Sequence, residues 1–173
     1  MSSGKRYLFL MALFVLPVFA GRARAQEIWT QTANSCAIDN TDLDEFDPNS
    51  ANLRFNGHSR GSLVARCNVT NLRSDGGDPG WTTLEVLYRD RDGSDPNDQV
   101  RVRLIRIGSG GNFTTIAEFD SNDFPETPEP ARESVTFAHT FDFTNGAYYV
   151  ELKVSRDSTH SQDDPAVFFV RLR

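Results

Sequence analysis

"SVTFAHTFDFTNGAYYVELKVS", residues 134–155, decides the fold class. Before Asn145-Gly146, the residues Val135, Phe137, His139, Phe141 and Phe143 recur at every second position. After it, Tyr148, Val150, Leu152 and Val154 do the same, with Glu151 and Lys153 on the opposite side. A period of two is that of a strand with one buried and one wet side, the pattern of antiparallel sheets. Asn-Gly between two such runs is the strongest short hairpin signal. The stretch therefore predicts strands over 134–143 and 147–155 joined by the turn "TNGA" (144–147).

Outward from it, the same reading gives "NLRFN" (52–56), "SLVARCNVTNL" (62–72), "WTTLEVLYR" (81–89), "QVRVRLIRI" (99–107), "FTTIAEF" (113–119) and "AVFFVRLR" (166–173). No stretch has a helical period of useful length. Eight strand-like runs separated by turns, with "GSGG" (108–111) as a second tight connection, predict an all-β antiparallel two-sheet sandwich of the jelly-roll or immunoglobulin-like kind over residues 51–173. Residues 26–50 are polar and acidic and are expected to form an extended lead-in. An outer-membrane barrel also alternates over eight strands. The many outward charges and the ending "VRLR" argue against it, because charges on a lipid face are costly.

Residues 1–25 read as a signal peptide: Lys5 and Arg6, then the apolar run "YLFLMALFVLPVFA" (7–20), then the small-x-small site "ARA" (23–25). Cleavage is expected before Gln26, with "VFA" ending at Ala20 as a second site. A bilayer span needs about 20 apolar residues, and this run is shorter. The expected location is secreted or periplasmic, with no transmembrane segment in the mature chain. The leader carries Lys5, Arg6, Arg22 and Arg24 and no acid, so the remaining chain has 14 basic and 24 acidic residues, net −10. That charge opposes a nucleic-acid or anionic-membrane partner, both of which favour a basic face. The two cysteines, Cys36 and Cys67, are expected to form one disulfide in an oxidising compartment.

If each strand reverses direction, the loops 57–61, 90–98, 120–133 and 156–165 share one end of the sandwich. They would gather Asp90, Asp92, Asp95, Asp98, Asp120, Asp123, Asp157, Asp163 and Asp164, with His58 and His160 nearby. Of these, Asp90, Asp92, Asp95, Asp98, Asp163 and Asp164 are the candidate metal ligands, with calcium as the one candidate cofactor. "DRDGSDPND" (90–98) is no EF-hand loop: counted from Asp90, its glycine is fourth rather than sixth and its twelfth residue is Arg101 rather than glutamate. Two readings stay open for it. One is a composite calcium site; the other is a solvated hairpin tip built from ordinary turn formers.

No catalytic constellation emerges. "GSL" (61–63) lacks a nucleophile elbow, His139 reads as a core histidine, and nothing selects two partner carboxylates. Trp81, Tyr88 and Tyr149, together with Trp29, are candidate aromatic platforms for a glycan; only Tyr149 alternates clearly away from the core set. Asn68-Val-Thr70 and Asn112-Phe-Thr114 match the glycosylation sequon, which acts only in a eukaryotic secretory pathway.

The leader, "LRFNGHSRGSLVARCNV" (53–69), "TTLEVLYRDRDGSDPNDQVRVRLIRI" (82–107) and the closing "GAYYVELKVSR" (146–156) and "AVFFVRLR" together resemble small exported bacterial β-sandwich proteins of unknown function. There is a looser resemblance to jelly-roll carbohydrate-binding modules, some of which carry a structural calcium. It implies no particular ligand set in this chain. The reading is an exported, non-catalytic binding or structural module whose partner is a protein or a glycan. A calcium-stabilised glycan-binding module and a metal-dependent hydrolase on the acidic end are the alternatives.

Overall fold

The computed structural model describes residues 27–48, 50–57, 59–96, 98–157 and 165–173. The expected leader, His58, His160, Asp163 and Asp164 lie outside them. Among the described residues, nine strands form two antiparallel sheets: β1 (Trp29–Thr32), β2 (Ala37–Ile38), β3 (Gly61–Val69), β4 (Thr83–Asp90), β5 (Asp98–Gly108), β6 (Phe113–Asp120), β7 (Thr127–Thr136), β8 (Gly146–Arg156) and β9 (Ala166–Leu172). The order is β1-β9-β4-β7 in one sheet and β2-β3-β8-β5-β6 in the other. Among the described residues, no helix is long and apolar enough to cross a membrane.

The period-two pattern builds the core row by row. Leu63, Val154 and Val100 lie abreast across β3, β8 and β5, followed by Ala65, Leu152 and Val102, then Cys67, Val150 and Leu104. All nine are buried. The other sheet faces them with Leu84, Val86 and Tyr88 of β4 and Val167, Val170 and Leu172 of β9. Each such side chain contributes about 1.5–3 kcal/mol by leaving water.

The expected lead-in supplies a strand to each sheet. β1 pairs with β9 and β2 with β3, and Trp29, Ala33 and Phe46 are buried. The Cys36–Cys67 disulfide joins the start of β2 to β3. The run 52–56 is not a strand: it makes only the single bridges Phe46–Phe55 and Leu53–Val167. Its alternation instead sinks Leu53 and Phe55 into the core.

Two further expectations are corrected. The segment 120–133, read as a loop, holds a 3-10 turn (Ser121–Asp123) and the first half of β7. Pro128 and Pro130 masked this strand; they are tolerated because β7 is the edge strand of its sheet. Asn145-Gly146 does not close a hairpin either. β7 pairs with β4, whereas β8 pairs with β3 and β5. The ladder ends at Thr136 with a last bond from the Phe137 N–H to the Thr82 carbonyl at 2.9 Å, and residues 138–145 cross from one sheet to the other. There Phe141 packs edge-to-face on the buried Trp81 at 5.1 Å, and the Asp142 N–H donates to the Tyr148 hydroxyl at 2.9 Å.

Candidate functional site

Strand register fixes which loops meet. Gly61 and Asp98 both lie opposite Arg156, Arg101 opposite Asp120, Asp90 opposite Thr127, and Arg89 opposite Ala166. The connections β4–β5, β6–β7 and β8–β9 therefore leave the sandwich at one end, and each crosses between the sheets. "DRDGSDPND" is thus an inter-sheet crossover, not a hairpin tip, and it is not a solvated stretch throughout: Asp90 and Asp98 are each 1% exposed.

Asp90 continues the inward side of β4 after Leu84, Val86 and Tyr88, so its carboxyl enters the end of the core. Its backbone is anchored, the N–H donating to Thr127 Oγ1 at 2.8 Å and the carbonyl accepting from the same hydroxyl at 3.0 Å. No hydrogen bond of ordinary geometry reaches either of its carboxyl oxygens, although Asp92 and the Ser121 hydroxyl stand beside them, and Asp92 Oδ1 is likewise buried without such a bond. Asp92 Oδ2 accepts the Asp98 N–H at 3.2 Å, and Asp98 Oδ1 accepts the Asp157 N–H at 3.0 Å. Burial pushes the Asp90 and Asp92 carboxyls above the ordinary carboxylate range. The Asp90 charge raises Asp92 further. Burial also pushes the nearby Tyr88 phenol up to about 12, with smaller contributions from Glu133 and Asp90.

Gly93 lets the crossover press against the β6–β7 segment. Its φ is +64°, and a Cβ there would stand 2.6 Å from the Glu126 backbone nitrogen. The other acids of this end have separate duties. Asp120 caps the 3-10 turn through the Asn122 N–H and receives Gln99 and Arg101. Asp95 is exposed, and exposed Asp157 stands 3.7 Å from Arg60. Among the described residues, no three His, Cys, Asp or Glu side chains form a metal-holding group. The carboxyls that keep buried oxygens without a hydrogen bond are those of Asp90 and Asp92.

The aromatic candidates separate cleanly. Trp81 is fully buried, its indole N–H donating to the Glu27 carbonyl at 2.5 Å; Tyr88 is fully buried, edge-to-face with Phe119 at 4.9 Å. Trp29 is 3% exposed. The expectation of surface platforms at Trp81 and Tyr88 is therefore corrected: both rings fill the core. Tyr149 is half-buried on the outer side of β8, between Asn68 of β3 and Ile105 of β5.

The next row of that outer face is Arg66, Glu151 and Arg103, with Glu151 holding both guanidiniums. Then come Val64, Lys153 and Arg101, and finally Ser62, Ser155 and Gln99. Arg66 also meets Asp39 at 3.2 Å, and Arg101 meets Asp120 at 3.1 Å and Glu118 at 3.5 Å. The cations Arg66, Arg101 and Arg103 are thus matched by Asp39, Glu118, Asp120 and Glu151, with Lys153 in the row between Val64 and Arg101. At the Ser62–Ser155 end the face opens into a shallow groove lined by Arg60, Gly61, Ser62, Ser155, Arg156 and Asp157. These groove residues are invisible to sequence reading, because register alone brings β3 and β8 together.

No protein-family model matches the chain, and no curated protein matches it. Among solved structures, it is similar to a low-affinity xylan-binding module, CBM86, from Roseburia intestinalis (TM-score 0.45, 5% identity, 85% of this chain and 95% of that one). It is also similar to the CBM36-1 domain of a multidomain xylanase from the hindgut metagenome of Trinervitermes trinervoides (TM-score 0.42, 12% identity, 85% and 97%). A third is the family 11 carbohydrate-binding module from Clostridium thermocellum (TM-score 0.40, 6% identity, 87% and 91%). No residue role is transferred from them.

Proposed function

We propose that the chain is an exported, non-catalytic binding module that holds an extended, uncharged glycan along the outer face of its five-stranded sheet. The observation that carries this reading is the placement of Tyr149. It is the one candidate ring turned away from the core, and it stands on the same face as the groove at Ser62 and Ser155. Tyr149 and Ser155 are six steps apart along β8, a track of about 20 Å at the rise of an antiparallel strand. The matched charges between the two ends leave little net field, which favours a neutral polymer over a polyelectrolyte. Guanidiniums fixed by carboxylates still offer N–H donors to sugar hydroxyls. Export rests on the leader pattern of residues 1–25.

Electrophoresis through gels containing soluble neutral polysaccharides tests the reading. The native protein is expected to be retarded by at least one of them, and Tyr149→Ala to run freely while keeping the native circular dichroism. Retardation unaffected by Tyr149→Ala, or none across a broad panel, overturns it.

A further inference from the structure

We propose that Asp90 and Asp92 hold a divalent cation of the calcium type between the β4–β5 and β6–β7 crossovers. Asp90 is 1% exposed, and no hydrogen bond of ordinary geometry reaches either of its buried carboxyl oxygens. Asp92 adds a third such oxygen from the same crossover. Leaving a buried carboxylate uncompensated costs several kcal/mol, so native structures pair such a group with a cation or neutralise it. Among the described residues, no arginine or lysine pairs with either aspartate. The nearby Arg156 guanidinium is instead turned to the Ser59 and Gly57 carbonyls and lies over the Phe55 ring at 4.8 Å.

The donor chemistry selects the metal class. Ser121 and Asp98 bring further oxygens beside Asp90, and among the described residues the one histidine, His139, lies against Phe141 and Tyr148 while both cysteines are tied in the disulfide. An all-oxygen set suits a hard cation and not zinc or copper. With two carboxylates from an irregular crossover, the remaining positions fall to carbonyls and water, which the flexible coordination of calcium accepts and the strict octahedron of magnesium does not. The anchors on either side fit this role. Thr127 ties Asp90 to β7, and Gly93 presses against Glu126, so an ion here would lock two crossovers at once.

The test uses the oxidised mature protein stripped with a chelator, with calcium alone as the probe. Calcium is expected to raise the melting temperature by several degrees. Asp90→Asn and Asp92→Asn should each lose that response, and Asp95→Asn should keep it. Because each Asn removes a buried uncompensated charge, both variants should melt at or above the stripped wild type. Terbium luminescence excited through tyrosine gives a second readout: Tyr88 precedes Asp90 by two residues on the same inward side, so Tyr88→Phe should lose the signal and added calcium should quench it. No calcium shift in the wild type overturns the site, as does a shift that survives in both Asn variants, or terbium emission indifferent to Tyr88→Phe. The readouts need no glycan, so failure here leaves the glycan reading standing, and the converse holds.

Discussion

Glu85 of β4 lies directly across from Arg171 of β9, and its carboxylate accepts a hydrogen bond from the Arg171 guanidinium at 3.1 Å. On the outside of the four-stranded sheet this glutamate is only 4% exposed, because Arg173 at 3.2 Å and Arg132 at 3.6 Å cover it as well. Arg132 and Arg171 also lie over the Phe169 ring. Removing the carboxylate leaves three guanidiniums facing one another. Glu85→Ala is expected to cost about 3 kcal/mol, at the low end for a broken buried pair because the arginines are partly solvated. Urea unfolding should show a lower midpoint at unchanged slope; an unchanged midpoint would refute the role given to Glu85.

His139 predicts a pH dependence. It sits among Phe141 and Tyr148, with its Nε2 3.1 Å from the Tyr148 hydroxyl, and burial, helped by the Arg106 charge, lowers its pKa below the ordinary 6.5. The unfolded chain therefore takes up this proton at a higher pH than the folded one. The stability linked to His139 is complete above pH 6.5 and is lost as pH falls through the folded value. Melting temperatures of the wild type should drop between pH 7 and pH 5 more steeply than those of His139→Gln. Parallel curves would remove His139 as the cause.

Reduction of Cys36–Cys67 should cost about 3–4 kcal/mol, the loop-entropy value for a bridge over about 30 residues. The loss should fall first on the N-terminal segment. In Cys36→Ser/Cys67→Ser, hydrogen exchange at the amides of residues 29–38 should accelerate more than at β5 and β8. Uniform acceleration would mean that this segment unfolds only with the whole sandwich.

Gly93→Ala should destabilise by more than the 1–3 kcal/mol of a strained backbone alone, since the new methyl also collides with the Glu126 nitrogen. Gly57→Ala shares the positive φ of +62° but meets nothing within 4 Å, so it isolates the backbone contribution. Equal losses of melting temperature in the two variants would contradict the close approach of the crossovers.

The sandwich was legible because the inward residues of β3, β5 and β8 alternate without interruption, and burial of one face enforces that period. The earlier part of β7, before Ser134, was hidden: Pro128, Glu129 and Pro130 are poor strand formers, and only their place at a sheet edge admits them. β1 and β2 were hidden by shortness, four and two residues being too few to show a period. At the candidate sites, alternation alone turned Tyr149 outward and would have turned Tyr88 and Asp90 inward together. Asp90 was read as part of a turn because an aspartate inside a core contradicts ordinary burial preferences. Trp81 carried no phase, standing at the start of its run, so its burial depended on Phe141 arriving from another part of the chain.

The pairing of β1 with β9 has a kinetic consequence. Trp29 meets Leu172, and β3 zips along β8 with Gly61 opposite Arg156, so the sheets are closed by partners from opposite ends of the chain. Few ladders form between neighbours in sequence. Topologies dominated by such distant contacts fold in milliseconds to seconds rather than microseconds. Until the last seven-residue strand is available, the hydrophobic sides of β1 and β4 have no shared neighbour. A chain cut short before β9 would therefore be lost to aggregation, not merely loosened at one edge.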